Sequence, residues 1–527
     1  MNKALAAVAE LVRRETWEGD DMTATRDPVT GSNTPVLRRT LTTWGAISLS
    51  IAAMGASLAV NINPQGAGAT VGRAVPLTFI LATIGVVLVA YGFARVCGRL
   101  SHAGSVFGLT GVTIGPRAGV VAGWSLLGAY FAFTITTSMT AGIFGANFLQ
   151  AIGLWHTTPT IAPWLIAIFS VVICLLMALS PVRTSMRTLL WVEVLTASLI
   201  VVIGIVVIIR VASGHAPGHQ PFTLNMFTVP HGIGTSTLFL GIVFGFLSFA
   251  GFEAAATLGE EAADPRRAIP RAIFGVAIFG GIFYTIGTAV EMLGFGTTDK
   301  GVAAFASTSS LFGTLGSEYV TPAVGDIVTL GTTIAAIGCC LATLVAAARL
   351  VFAMSRGGVG DRRLSQVSGK SGVPAVAATA ISVTTVIVIL LILAVSNHVA
   401  FNLFAWSGTV GTLVLLVAYG IFTAGAWYYL CVRGPRNGEP ANRLDFVIPV
   451  LGFLLIGYTL YRNVLPWPST LAGRVIVIMA AIWVVAAIAG IVVLPARAAK
   501  IGSRLAQDEG LAIGKIAQTA AELEGEA

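Results

Sequence analysis

Charge is what this sequence has least of. Only 10% of its 527 residues are Asp, Glu, Lys or Arg, against roughly one quarter in a domain whose surface faces water. That scarcity excludes an ordinary soluble enzyme. Uncharged runs of roughly 18 residues or more recur along the chain, long enough to cross a bilayer and longer than a typical core helix. Cysteine is sparse too: Cys97, Cys174, Cys339, Cys340 and Cys431 fall in or beside apolar segments and form no disulfide framework. The six histidines are scattered, so no acid–base cluster for an integral-membrane enzyme, no metal site and no cofactor is expected. A filter-like repeat or attached signalling domain is lacking as well, which argues against a channel or sensor. The N-terminal stretch to about Arg39 mixes acidic and basic residues without the apolar core of a signal peptide.

What is there is an all-α polytopic membrane protein. Apolar segments cover Leu41–Gly72, Val75–Cys97, Gly119–Leu149, Ile161–Ser180, Leu189–Ile209 and Thr235–Gly259. A second series covers Ala272–Gly294, Thr321–Leu350, Val376–Val395, Phe401–Cys431, Phe446–Leu465 and Arg474–Pro495, giving twelve spans. Loop charge orients them, because Lys and Arg accumulate on the cytoplasmic side. One set of loops holds Arg99, Arg117, Arg183, Arg187, Arg266, Arg267, Arg271, Arg356, Arg362, Arg363, Lys370, Arg433, Arg436 and Arg443; the other holds little beyond Arg73, Lys300 and Arg462. Both termini are expected in the cytoplasm of a cell inner- or plasma-membrane protein. The net charge of +8 has the same origin and gives no reason to expect nucleic acid. The longest non-membrane pieces are the outer loops Ser213–Gly234 and Phe295–Val320, and the tail from Arg497 reads as a short surface helix.

Two spans are predicted to be interrupted. The first reads IAAMGASLAVNINPQGAGATVG, with Gly55 and Ser57 near its middle and Asn61, Asn63 and Pro64 beyond. The sixth reads GIVFGFLSFAGFEAAATLGEEAADP, with Gly245, Ser248 and Gly251 close together. Glycine and proline loosen a helix, and an unwound peptide group in hydrocarbon needs an internal partner. The alternative for Gly55 alone is a glycine that merely lets helices pack closely. Breaks five spans apart suggest an inverted repeat whose broken helices meet near the midplane. Helix-start N–H groups there can hold a carboxylate and helix-end carbonyls an ammonium.

An ionised carboxylate in lipid is costly, so Glu193, about a turn inside the fifth span, should face the interior, paired or protonated. It is the candidate for proton coupling; a structural hydrogen bond near Arg183 and Arg187 is the alternative. Glu253, just beyond the sixth-span break, fits best as a cap for freed amides. Glu260 and Glu261, with Arg266, Arg267 and Arg271, suggest an inner gate or loop network, and Asp326 and Glu291 carry weaker signals. Aromatic candidates are Phe246, Phe249 and Phe252, with Trp124 and Tyr130 in the third span; Phe249 stands first as a gate and Phe246 second. Trp155, Trp164, Trp467 and Tyr461 are placed in the interfacial aromatic belt.

The segment GFEAAATLGEEAADPRRAIPR, Gly251–Arg271, closely resembles the sixth-helix signature of the amino acid–polyamine–organocation (APC) permeases. AARLVFAMSRGGVGDRRL, Ala347–Leu364, resembles the end of that family's eighth helix, and Arg99–Trp124 is a weaker match. The resemblance implies a LeuT-like arrangement: a cytoplasmic arm 1–40, a first five-helix repeat 41–212, a second, inverted repeat 235–431, two further helices 446–496 and a cytoplasmic tail 497–527. It implies alternating access for an amino acid, with exchange or the transport of a polyamine, ethanolamine or other amine as alternatives. By the same resemblance the substrate carboxylate would lie at Gly55, Ala56 and Ser57, and its amine at the carbonyls of Phe249 and Ala250 beside Gly251. Glu193 falls where proton-coupled relatives carry a lysine, so an ionisable group is kept and the fixed cation is lost. The first span also departs from the family pattern, reading M-G-A-S-L, which leaves room for a smaller or methylated amine. Expected partners are the small-molecule substrate, H+ and the lipid bilayer, with the chain a monomer or homodimer.

Overall fold

The computed structural model describes residues 43–99, 106–180, 183–258, 264–356, 361–366, 374–395, 399–433 and 441–493. The arm 1–40, the tail 497–527 and the acidic pair Glu260 and Glu261 lie outside the described residues. Every regular element described is helical. In chain order they are α1 (Thr43–Met54), α2 (Ala56–Val71), α3 (Val75–Arg99), α4 (Val106–Thr113), α5 (Pro116–Ala151), α6 (Ala162–Leu179), α7 (Arg183–Ala212) and α8 (Leu238–Phe249). They continue with α9 (Pro265–Phe295), α10 (Asp299–Ser307), α11 (Leu311–Tyr319), α12 (Pro322–Arg356), α13 (Ala375–Val395), α14 (Ala400–Tyr428), α15 (Arg443–Val464) and α16 (Leu471–Val493).

Among the described residues, ten helical stretches are long and apolar enough to cross a membrane, which makes the chain a multi-pass membrane protein. The segments predicted to be interrupted form shorter pieces: α1 and α8 have 12 residues each, and α2 has 16. Helix ends carry recognisable chemistry. Pro116 and Pro265 stand in the first turns of α5 and α9, where a missing N–H costs nothing. Asn442 and Asp445 form a reciprocal capping box at the start of α15. Within α5, the hydroxyls of Thr136, Thr137 and Thr140 donate to carbonyls four residues back at 2.9, 2.7 and 2.9 Å. Polar side chains are thereby satisfied inside their own helix, as a lipid environment demands.

The long helix α5 forms the centre, packed along α12 and α14, while α3 runs along α9 and α2 along α8. Its most apolar window is 72% buried, whereas that of α16 is 17% buried, so the last helix is peripheral. Stacked Trp124 and Trp483 join α5 to α16, and each indole N–H donates to the other's carbonyl, at 3.0 and 2.8 Å.

Some elements differ from the sequence expectation. The non-membrane piece Phe295–Val320 carries two short helices, α10 and α11, started by Thr298 and Ser310 side chains that accept from Gly301 and Gly313 N–H. These helices dock on α2. Asn61 accepts the Phe312 N–H at 2.7 Å, and Gln65 donates to the Thr308 carbonyl at 2.6 Å. α9 begins seven residues before its predicted start, because Pro265 at its first position initiates a helix that runs through the basic segment. Trp164 is fully buried against the bundle, whereas Trp467 and Tyr461 are exposed.

Candidate functional site

The two interruptions meet. Gly55 adopts φ 57° and ψ 59°, left-handed values that glycine reaches without penalty; the chain leaves α1 there and restarts as α2. Gly251 has φ 101° and separates α8 from the 3₁₀ segment Phe252–Leu258. A Cβ at Gly251 would sit 3.1 Å from the carbonyl oxygen of Ala53 and 3.4 Å from the nitrogen of Met54. The break after α8 therefore rests on the backbone at the end of α1.

Both restarts are capped by carboxylates. Glu193 of α7 is buried, its Oε1 accepting the Ser57 N–H at 2.7 Å and its Oε2 the Ser57 hydroxyl at 2.6 Å; the Ala56 amide also interacts with it. Glu193 and Ser57, separated by 136 residues in sequence, thus form one unit. Glu253 is buried as well, and its Oε2 accepts the Gly251 N–H at 3.2 Å and the Tyr419 hydroxyl at 2.8 Å.

A cavity adjoins the breaks; the space free of protein atoms there, counting what opens to solvent, is ≈ 430 Å³. Ala53 and Met54 reach it from α1, Leu247 and Ala250 from the end of α8, and Leu58, Ala59 and Asn63 from α2. α5 contributes Phe133, Thr136, Thr137 and Thr140; Cys339 and Thr343 come from α12 and Phe404 from α14. Of the candidate solute-binding residues Ala250 is in this lining, together with Asn63 of the first interrupted span. Gly55, Ala56, Ser57 and Gly251 stand at the adjoining breaks. The rings of Phe246 and Phe249 are elsewhere: Phe246 packs over Gly85 of α3, and Phe249 meets Tyr284 edge-on at 5.1 Å. Phe133 and Phe404 take the aromatic places at the cavity, and no spacing distinguished them from other phenylalanines in long apolar helices. Arg266 and Arg267 are exposed, with Arg267 3.8 Å from Asp264. Among the described residues, no group of three or more His, Cys, Asp or Glu is placed to hold a metal.

A family model for amino acid permeases matches residues 45–424, a span that contains both interruptions and the cavity lining. The chain belongs to the amino acid permease family. Family membership places this permease in the APC superfamily and makes it a transport protein rather than an enzyme. Its relatives include the branched-chain amino acid permease BcaP of Lactococcus lactis, 24% identical over 437 residues, 79% of this chain and 87% of that one. The low-affinity putrescine importer PlaP of Escherichia coli is 26% identical over 328 residues, 61% of this chain and 68% of that one. An uncharacterized transporter of Mycobacterium tuberculosis is 25% identical over 445 residues, covering 84% and 89%. The matched region ends within α14, leaving α15 and α16 outside it.

Those outer helices are nevertheless tied to the permease bundle by chemistry the sequence reading missed. Asp445, fully buried, accepts Arg95 Nε and Nη2, each at 2.7 Å, and the Tyr91 hydroxyl at 2.8 Å, with Arg99 Nη2 3.7 Å away. This bidentate pair joins α3 to α15. Position 445 directly precedes the apolar run that marked the span in sequence, so it passed for a loop residue. Glu291 of α9 differs: it is completely buried, and among the described residues neither carboxyl oxygen has a hydrogen-bond partner.

Proposed function

We propose that this permease is a secondary active transporter that imports a small amine-bearing solute, an amino acid or a related amine, by alternating access and proton symport. The observation that carries the reading is the meeting of two glycine-centred helix breaks beside one cavity. Peptide groups released by such breaks supply polar contacts to a solute without a charged side chain for each. The ten long helices, with α1–α2 and α8 plus its 3₁₀ continuation counted as one crossing each, make twelve crossings. On this reading residues 41–212 and 235–431 are inverted halves, 446–496 holds two added helices, and both termini are cytoplasmic in a cell inner- or plasma-membrane protein.

The solute would sit against Ala53, Met54, Leu247 and Ala250, with Phe133 and Phe404 closing over it. α10 and α11, held to α2 by Asn61 and Gln65, close one end of the path. Glu193 is proposed to carry the coupling proton, because a change in its charge alters the cap on α2 and hence the geometry of the break. Relatives named for a branched-chain amino acid and for putrescine share an amine in their cargo, which fits the reading at the level of class.

Uptake by purified protein in proteoliposomes tests it. A panel of labelled amino acids and amines should accumulate under an inward proton gradient and stop when that gradient is collapsed. Glu193→Gln should lower gradient-driven accumulation more than binding. Uptake indifferent to the gradient but dependent on solute inside would replace symport with exchange.

A further inference from the structure

We infer that the cavity accepts a small, singly charged amine that lacks a carboxylate. The inference rests on reading the cavity as the solute site, and it is independent of which ion drives transport. A zwitterion would need two opposite poles at the breaks: carbonyl ends for its ammonium and peptide N–H groups for its carboxylate. Ala53 and Met54 end α1, and Leu247 and Ala250 end α8, so the carbonyl ends of two helices border the cavity. The Leu247 carbonyl already accepts the Ala250 N–H at 3.2 Å and keeps one lone pair. The start of α2 borders the cavity too, at Leu58 and Ala59, but its donors are largely taken, the Ala59 N–H by the Gly55 carbonyl. Glu193 holds both donors of Ser57, at 2.7 and 2.6 Å, and Glu253 holds the Gly251 N–H. An incoming carboxylate would meet a fixed carboxylate at the start of α2, a like-charge contact that costs several kcal/mol.

The lining side chains lean the same way. Thr136, Thr137 and Thr140 give their hydroxyl protons to carbonyls of α5, and Thr343 gives its own to Cys339 of α12. Asn63 donates an amide proton to Ser248 at 2.8 Å. What these groups leave for a ligand is chiefly oxygen lone pairs, which suit the three donors of an ammonium and repel an acceptor-only carboxylate. The remaining surface is apolar, with Met54, Leu58, Phe133, Leu247 and Phe404. Among the described residues that line the cavity no side chain is charged, so a second cationic centre would have no counter-charge there.

The test compares three probes on the full-length protein in nanodiscs by isothermal titration. 3-Methylbutylamine and leucine share one branched chain and differ only in the carboxylate, while putrescine adds a second positive charge. The monoamine should bind at least about tenfold more tightly than leucine, and more tightly than putrescine. Thr140→Val, nearly isosteric, should weaken monoamine binding about three- to tenfold as one acceptor oxygen is lost. Leucine binding as tightly as the monoamine would overturn the inference while leaving the transporter reading intact. Tighter binding of putrescine would overturn the single-charge part. If none of the three binds to protein that still unfolds cooperatively, the inference and the amine-bearing solute of the proposed function fall together, while the membership of the permease family stands.

Discussion

Removing the Glu193 carboxylate should damage the fold in a graded way. Ser57 is fully buried, and its peptide N–H has the Glu193 Oε1 as its acceptor at 2.7 Å. Glu193→Ala leaves that N–H buried without an acceptor, at a cost on the order of 1–3 kcal/mol. The Ser57 hydroxyl can rotate toward a carbonyl of its own neighbourhood, so its loss adds less. The emptied side-chain volume adds roughly another 1–2 kcal/mol, for about 2–5 kcal/mol altogether. Glu193→Gln keeps one carbonyl oxygen for the N–H and turns an amide toward the hydroxyl, which can accept instead of donate. Its cost should stay near 1 kcal/mol, the difference between charged and neutral hydrogen bonds. Scanning fluorimetry of the purified protein should rank the wild type above Gln and Gln above Ala. Ser57→Ala combined with Glu193→Gln should be less damaging than the two single effects added, because the residues share a contact. An alanine variant as stable as the wild type, or a glutamine variant as damaged as alanine, would refute the capping role.

Gly251→Ala forces an L-residue to φ 101° with its Cβ 3.1 Å from the Ala53 carbonyl oxygen, so it should destabilise the protein by about 2–4 kcal/mol and abolish solute binding; calorimetry and titration check both. Asp445→Ala removes the shared partner of Arg95 and Tyr91; because the Arg95 side chain is 37% exposed and can turn to water, the cost should be about 1–3 kcal/mol, lowering the thermal midpoint. Asn61→Ala frees the Phe312 N–H, and should raise the rate at which Thr308→Cys is labelled by a membrane-impermeant thiol reagent. Glu291→Met exchanges an unpartnered buried carboxyl for an apolar side chain of similar length, and should match or exceed the wild type in thermal stability; a large loss would mean the carboxyl has a partner.

How much of this could be read from residues alone differs from element to element. Gly55 and Gly251 announced the two breaks, because glycine between long apolar runs is where a chain can turn left-handed, and both positions do so. The buried state of Glu193 was legible for a similar reason, since an acid inside such a run must face protein. Its partner was not: Ser57 lies 136 residues away, and only the packing of α7 beside the break brings them together. The loop Phe295–Val320 lacked the hydropathy of a span, so α10 and α11 escaped notice although Thr298 and Ser310 stand at their starts. Phe133 and Phe404 escaped because an aromatic ring in a long apolar helix carries no mark of which face it occupies. Asp445 escaped because a charge beside a span passes for a loop residue, although here it is fully buried.

The most direct test is a high-resolution structure of the protein in a lipid disc with 3-methylbutylamine. Non-protein density should lie against Ala53, Met54, Leu247 and Ala250, with its nitrogen toward the helix ends and Glu193 still on Ser57. An unbroken helix through Gly55, or bound amine away from these residues, would contradict the assignment of the two breaks as the seat of solute recognition.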